Sequence, residues 1–221
     1  LVLGELGVAV GPLLAGAGIV GLAVGFGAQN LVRDVISGFF FILEDQIRVG
    51  DVAVVNGTGG LVEAINFRTT VLRDLAGTVH IFPNGAVTSL SNMTRDWSAY
   101  VFEIGVAYGT DTDRAVAVIR RVGEELGADD YFGPLILEPL EVFGVDRLGD
   151  SSVIIKGRVK TWPIHQWEVG RELLRRVKRA FGEEGIEIPF PQRTLHVRPD
   201  APPLERALHE QAEAAVDPQK D

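Results

Sequence analysis

The stretch GAGIVGLAVGFGAQNLVRD, residues 16–34, supports two readings that lead to different proteins. Gly16, Gly18 and Gly21 have the G-x-G-x-x-G spacing of a dinucleotide-binding turn, and Asp34 stands roughly where such a fold places its ribose-binding acid. The same glycines would let helices pack closely inside a lipid bilayer. Length decides between them. From Leu6 through Ala28 there is no charged residue and no Asn, Gln, Ser or Thr, an unbroken run of 23 residues. As a helix this run is about 35 Å long, enough to cross a hydrocarbon core with some tilt. A dinucleotide fold needs a strand, a turn, a helix and a second strand ending in the acid, and GFGAQNLVR before Asp34 is not a strand. The segment reads as membrane, where Pro12 is tolerated better than in a soluble helix.

A helix that met only lipid would be rich in Leu, Ile and Val all round. Here Gly4, Gly7, Gly11, Gly18, Gly21 and Gly25 fall three, four or seven apart, with Ala15, Ala17, Ala23 and Ala28 beside them. That stripe suits close packing against other helices, with Gly18, Gly21 and Gly25 as its centre. Arg33 and Arg48 lie beyond the span and Glu5 precedes it, so the positive-inside bias puts the chain after the span in the cytoplasm. The run is too long, and lacks the basic start, for a signal peptide. The chain opens on Leu1, not Met, and is expected to be part of something longer.

After Gln29-Asn30 the pattern changes. Val32, Val35, Ile36, Phe39, Phe40 and Leu43 fall on one helical face, and Arg33, Asp34, Ser37, Glu44 and Asp45 fall elsewhere. This predicts an amphipathic helix that leaves the span near Asn30 and lies at the cytoplasmic interface, since Arg33 and Asp34 are expensive at bilayer depth. Gly38, in its middle, fits either close packing or a flexible point.

The 221 residues are 46% hydrophobic and carry a formal net charge of -9, which argues against a nucleic-acid partner. With no cysteine there is no disulfide, thiolate chemistry or Cys-based metal site. Residues 47–96 read as short strands around turns such as Asn56-Gly57 and Asn84-Gly85, with one long strand bent or bulged over 61–75, a pattern that suits a small β-barrel. Residues 97–198 read as strand, helix, strand, strand, helix, strand, the split βαβ or ferredoxin-like order, with Ile186 to Phe190 as the last strand. In its second helix Leu173, Leu174, Val177 and Phe181 are expected inward and Arg175, Arg176, Lys178 and Arg179 outward. Trp97, Trp162 and Trp167 are assigned to the core or a subunit contact. The remainder, 199–221, is a Pro-, Ala- and acid-rich tail. Histidines stand alone at 80, 165, 196 and 209, without H-E-x-x-H, and there is no G-x-S-x-G or G-K-[ST] motif. No catalytic site, metal or cofactor is expected, and the chain is not read as an enzyme.

Six stretches, in order and with matching spacings, give the sequence a resemblance to the MscS-type small-conductance mechanosensitive channel family. They are GIVGLAVGFGAQNLVRDVISGFF, IRVGDVAVV, GLVEAINFRTTVLRD, IFPNG, FEIGVAYGTD and GIEIPFPQRTLHV. The resemblance implies an α+β membrane protein: a pore-lining transmembrane helix and an interfacial helix (1–46), an Sm/SH3-like β-barrel (47–96), and a ferredoxin-like α/β vestibule domain (97–198). It implies a homoheptamer in the cytoplasmic (inner) membrane, multi-pass because further helices precede this one. TLHV, 194–197, is the candidate for a closing barrel strand. Carried over by position, the pore constriction falls on Leu22 and Phe26, the helix break on Asn30 and the second glycine of the lower helix on Gly38. Phe26 stands where Leu is common, which changes the ring. Asn30 stands where Gly is common, which moves the bend toward Gly38. The implied activity is tension-gated release of ions and small osmolytes in hypoosmotic shock, with membrane lipids as partners. The alternative from a different class is a membrane-anchored oligomeric ligand-binding or signalling module.

Overall fold

The computed structural model describes residues 10–193. Gly4, Glu5 and Gly7, the TLHV strand candidate and the tail lie outside the described residues.

Helix α1 spans Val10–Leu43, 34 residues. Its stretch Leu14–Leu43 is long and apolar enough to cross a membrane, and the chain buries none of the most apolar window within it. The helix ends in a Schellman motif: the Gln46 N–H donates to the Phe41 carbonyl (3.2 Å) and the Asp45 N–H to that of Ile42 (3.2 Å). Asp45 occupies the left-handed conformation this requires, with φ of 53°. The interruption expected at Asn30 does not occur, and the amphipathic segment is the lower half of the same helix. An interior Asn costs a helix only about 0.7 kcal/mol relative to Ala, and bonded turns on both sides hold it in register.

Five antiparallel strands come next: β1 (Val52–Val55), β2 (Thr58–Ile65), β3 (Thr69–Arg73), β4 (Val79–Pro83) and β5 (Leu90–Asn92), in the order β4-β3-β2-β1-β5. Asn56 and Gly57, with φ of 49° and 84°, make the tight hairpin turn that their identity predicts. The single long strand expected over 61–75 is instead two, β2 and β3, folded against each other through Asn66-Phe67-Arg68. That turn contains neither Gly nor Pro and is closed by the Asn66 N–H donating to the Thr69 carbonyl (2.8 Å), so hydrophobic patterning alone passes over it. A bulge between Val62 and Ala64 curls the sheet around a small core of Ile47, Ala53, Val55, Val62 and Leu72.

The α/β part comprises β6 (Ser98–Val106), α2 (Thr112–Gly127), β7 (Glu141–Leu148), β8 (Val153–Thr161) and α3 (Gln166–Glu183). Asp111 caps α2 by accepting from the Asp113 and Arg114 N–H groups. The sheet order is β6-β8-β7, with both helices on one face over Phe102, Ile155, Leu173 and Phe181. β8 alternates buried and half-buried residues along its whole length, the mark of a central strand with one face in the core. The last strand expected at Ile186–Phe190 does not join the sheet. It lies beside the end of β6, held by the Ala107 N–H donating to the Glu187 carbonyl (3.1 Å), and Pro189 and Pro191 lack the donors a ladder needs. Leu174, expected inward, is exposed. Arg176, expected outward, is half-buried between Asp129 and Glu172, because those carboxylates meet its guanidinium from two elements. Trp97 and Trp162 are exposed, so they do not belong to this chain's core.

Candidate functional site

Two places on α1 carry the candidate site residues. In the upper half, Leu22 and Phe26 lie four apart on one face and are 64% and 74% exposed. A side chain added at Gly18, Gly21 or Gly25 would meet nothing within 4 Å. Within one chain the small-residue stripe is therefore unfilled, and the apolar side chains beside it touch no core.

The lower half is different. Asp34 and Gly38, also four apart, are buried against the β-domain. The Gly85 N–H donates to Asp34 Oδ1 (3.0 Å), and Arg68 Nε lies 3.6 Å from Asp34 Oδ2. Asn84, itself buried, prepares that contact. Its Oδ1 accepts from Thr70 Oγ1 (2.8 Å), and its Nδ2 donates to the carbonyls of Asn66 (2.9 Å) and Phe67 (3.2 Å). These bonds fix the 3-10 turn Asn84–Ala86 on the β2–β3 hairpin and present the Gly85 N–H to the helix. Gly38 faces the same spot, where a Cβ would overlap Asn84 Nδ2 and the Phe67 carbonyl oxygen. Its lack of a side chain is what lets helix and turn touch.

Asp34 and Gly38 thus face protein, while Val35, Ile36, Phe39, Phe40, Ile42 and Leu43 are exposed. Sequence reasoning singles out Gly38 and the Pro83-Asn84-Gly85 turn separately but does not join them. The available signal is an acid four residues before a mid-helix glycine, both at one face.

In the α/β part, Arg176 bridges Asp129 (2.5 Å) and Glu172 (2.7 Å). The Arg176 guanidinium, with the Phe132 and Tyr131 N–H groups, holds the Asp129 carboxyl at about 2. Arg175 and then Arg176 bring Glu172 down to about 2 as well. These pairs tie α3 to the segment after α2. An open cleft of about 550 Å³ runs between α2 and residues 133–140, and another of about 570 Å³ lies between Tyr108–Asp111 and Gly185–Gln192. Among the described residues no group of three His, Asp or Glu is arranged to hold a metal.

Two family models match in sequence: "Mechanosensitive ion channel, beta-domain" over residues 30–95, and "Mechanosensitive ion channel MscS, C-terminal" over residues 100–188. Together they cover more than half of the chain. The chain belongs to the MscS family. A small-conductance mechanosensitive channel of Caldanaerobacter subterraneus subsp. tengcongensis is 40% identical over 83% of this chain and 64% of the relative. An uncharacterised MscS family protein of Archaeoglobus fulgidus is 36% identical over 88% of this chain and 68% of the relative. The crystal structure of Helicobacter pylori MscS in its closed state superposes with a TM-score of 0.71 at 27% identity, over 89% of this chain and 77% of that one. The chain thus spans a little under two thirds of the Caldanaerobacter relative. The MscS fold is an α+β membrane-channel architecture, and an ion channel is not an enzyme class. The β-domain match begins at Asn30, so the MscS unit includes the lower half of α1 together with the sheet on which it is seated.

Proposed function

We propose that this MscS-family chain supplies the pore helix and cytoplasmic vestibule of a homo-oligomeric channel, a heptamer, that membrane tension opens to release ions and small osmolytes in hypoosmotic shock. The observation that carries the reading is the contrast along α1: an upper half whose apolar face and glycine stripe meet nothing in the chain, and a lower half tied to a folded cytoplasmic body. Copies arranged around an axis would fill the stripe at Gly18, Gly21 and Gly25 by close helix packing. Leu22 and Phe26 then form two apolar rings that keep water, and so ions, out of the closed pore without a physical plug.

Tension favours the state of larger membrane area, and the stripe lets helices tilt and slide with little steric resistance. Gly38 anchors the seated half, and Asn30 marks the boundary between the free and the seated half of a helix that runs unbroken through it. The regions are a membrane segment (1–46), a β-domain (47–96), an α/β vestibule domain (97–198) and an acidic tail (199–221), with the soluble parts on the cytoplasmic side of a multi-pass inner-membrane protein.

The test is patch-clamp recording of the full-length protein in liposomes under stepped suction. Discrete currents that rise with tension, and a Phe26→Ser variant that leaks or opens at lower tension, are the expected result. Silence up to membrane rupture would sink the proposal and favour a membrane-anchored ligand-binding module. An unchanged threshold in Phe26→Ser would remove Phe26 from the pore.

A further inference from the structure

We infer that Arg33 and Arg68 form a binding site for the phosphate of an anionic membrane lipid, at the junction of α1 and the β-domain; the inference rests on α1 being a membrane helix. There the Arg68 guanidinium and the aliphatic stem of Arg33 lie beside a single carboxylate. Asp34 commits Oδ1 to the Gly85 N–H at 3.0 Å, and its Oδ2 lies 3.6 Å from Arg68, longer than a hydrogen bond. Arg68 remains 60% exposed, so its donors are largely free. Arg33 is exposed and has no carboxylate partner among the described residues.

The placement of Arg33 is specific. A Cβ on Gly85 would lie 2.7 Å from Arg33 Cγ, 3.0 Å from its Cδ and 2.8 Å from Asp34 Oδ1, so the stem of Arg33 runs across the glycine that also holds Asp34. Arg33 and Arg68 therefore rise from the same spot, one from the helix and one from the β2–β3 turn. Many arginines elsewhere in the cytoplasmic part are matched, as Arg73 with Glu63, Arg147 with Glu103, Arg158 with Glu141 and Arg176 with Asp129. At this junction cation outnumbers anion, and a planar guanidinium pair suits phosphate oxygens.

The surroundings point to a lipid as the source of that phosphate. Phe67, next to Arg68, is 75% exposed, and Val35, Ile36, Phe39 and Phe40 come after Arg33 along the exposed face of α1. An aromatic and an arginine side by side, below an apolar helix, is the composition of a membrane–water interface, where the ring enters the acyl boundary and the cation stays at the headgroups. A lipid held here would touch helix and β-domain together and so join the bilayer to the contact that seats the helix.

The experiment is native mass spectrometry of the full-length oligomer in detergent, counting phosphatidylglycerol and phosphatidylcholine retained per subunit, with inorganic phosphate as a competitor. The wild type is expected to prefer phosphatidylglycerol, and R33Q and R68Q each to lose about fivefold of that preference. R33K with R68K should keep part of it, and K178Q, distant on α3, all of it. An undiminished preference in R33Q/R68Q overturns the inference, and so does displacement of the lipid by inorganic phosphate as readily as by phosphatidylglycerol. If the double variant loses the oligomer, R33Q alone decides, since that guanidinium holds no ion pair. Retention is read without tension. A silent protein that keeps the preference therefore defeats the channel and not the lipid site, and a gated channel without it defeats the lipid site alone.

Discussion

The upper half of α1 and the interior of the α/β part use the same kinds of side chain to opposite ends. Phe26 is 74% exposed, whereas Phe181 is fully buried between α3 and the sheet. Both regions are apolar, but only the second finds enough complementary surface within its own chain. Stability of the α/β part is encoded locally, and on the proposed function that of the helix is deferred to the bilayer and to other copies. The junction at Asp34, Gly38 and Gly85 lies between these regimes, where the helix meets the β-domain.

The largest expected effect tests this contrast directly. Phe181→Ala should lower the unfolding free energy of the cytoplasmic part by about 3–5 kcal/mol, read from a urea melt, because it removes a fully buried ring. Phe26→Ala should leave that melt unchanged. Equal losses in the two variants would break the distinction between self-sufficient and deferred regions.

A smaller effect compares two glycines of one helix. Gly38→Ala forces Asn84 and Phe67 to move and should cost about 1–3 kcal/mol of the helix–turn contact, seen as faster hydrogen exchange at the Gly85 N–H and a shifted tension threshold. Gly25→Ala meets nothing within 4 Å in the chain, so any change in its threshold reports contacts outside the chain, which the proposed oligomer places between subunits. If Gly38→Ala leaves exchange at Gly85 untouched, the contact does not seat the helix.

The smallest effect is acid sensitivity of the α3 network. Asp129 and Glu172 sit at about 2 in the folded protein against ordinary values of 3.8 and 4.5. On acidification the unfolded chain takes up these protons first, so their contribution is complete above the unfolded values and fades as pH falls toward 2. The melting temperature should therefore decline over that window, and Glu172→Gln should make the decline shallower. An equal slope in the variant would remove Glu172 from the network.

Features set by neighbours along the chain are legible in the residues themselves. The uncharged span from Leu6 to Ala28, the Asn56-Gly57 hairpin and the Asp111 cap each depend on a few adjacent residues. Three other features are not legible in this way. The turn at Asn66-Phe67-Arg68 is made by hydrogen bonds and not by Gly or Pro, so the alternation of apolar residues runs straight through it. The segment Ile186–Phe190 has a strand's apolar residues, but its prolines deny it the ladder. Arg176 sits in a run of basic residues that looks solvated until the segment after α2 brings Asp129 alongside.

Composition and length are sufficient to establish a membrane helix followed by a β-domain and an α/β domain, because hydrophobic runs and turn residues act over a few residues at a time. The seating of that helix required the fold. Asp34 and Gly85 are separated by 51 positions, and only the curl of the five-stranded sheet brings the Asn84 turn under the helix. Whether a polar residue on a helix faces water or protein depends on what the distant chain places opposite it, and opposite Asp34 that is a backbone N–H held in place by a buried asparagine.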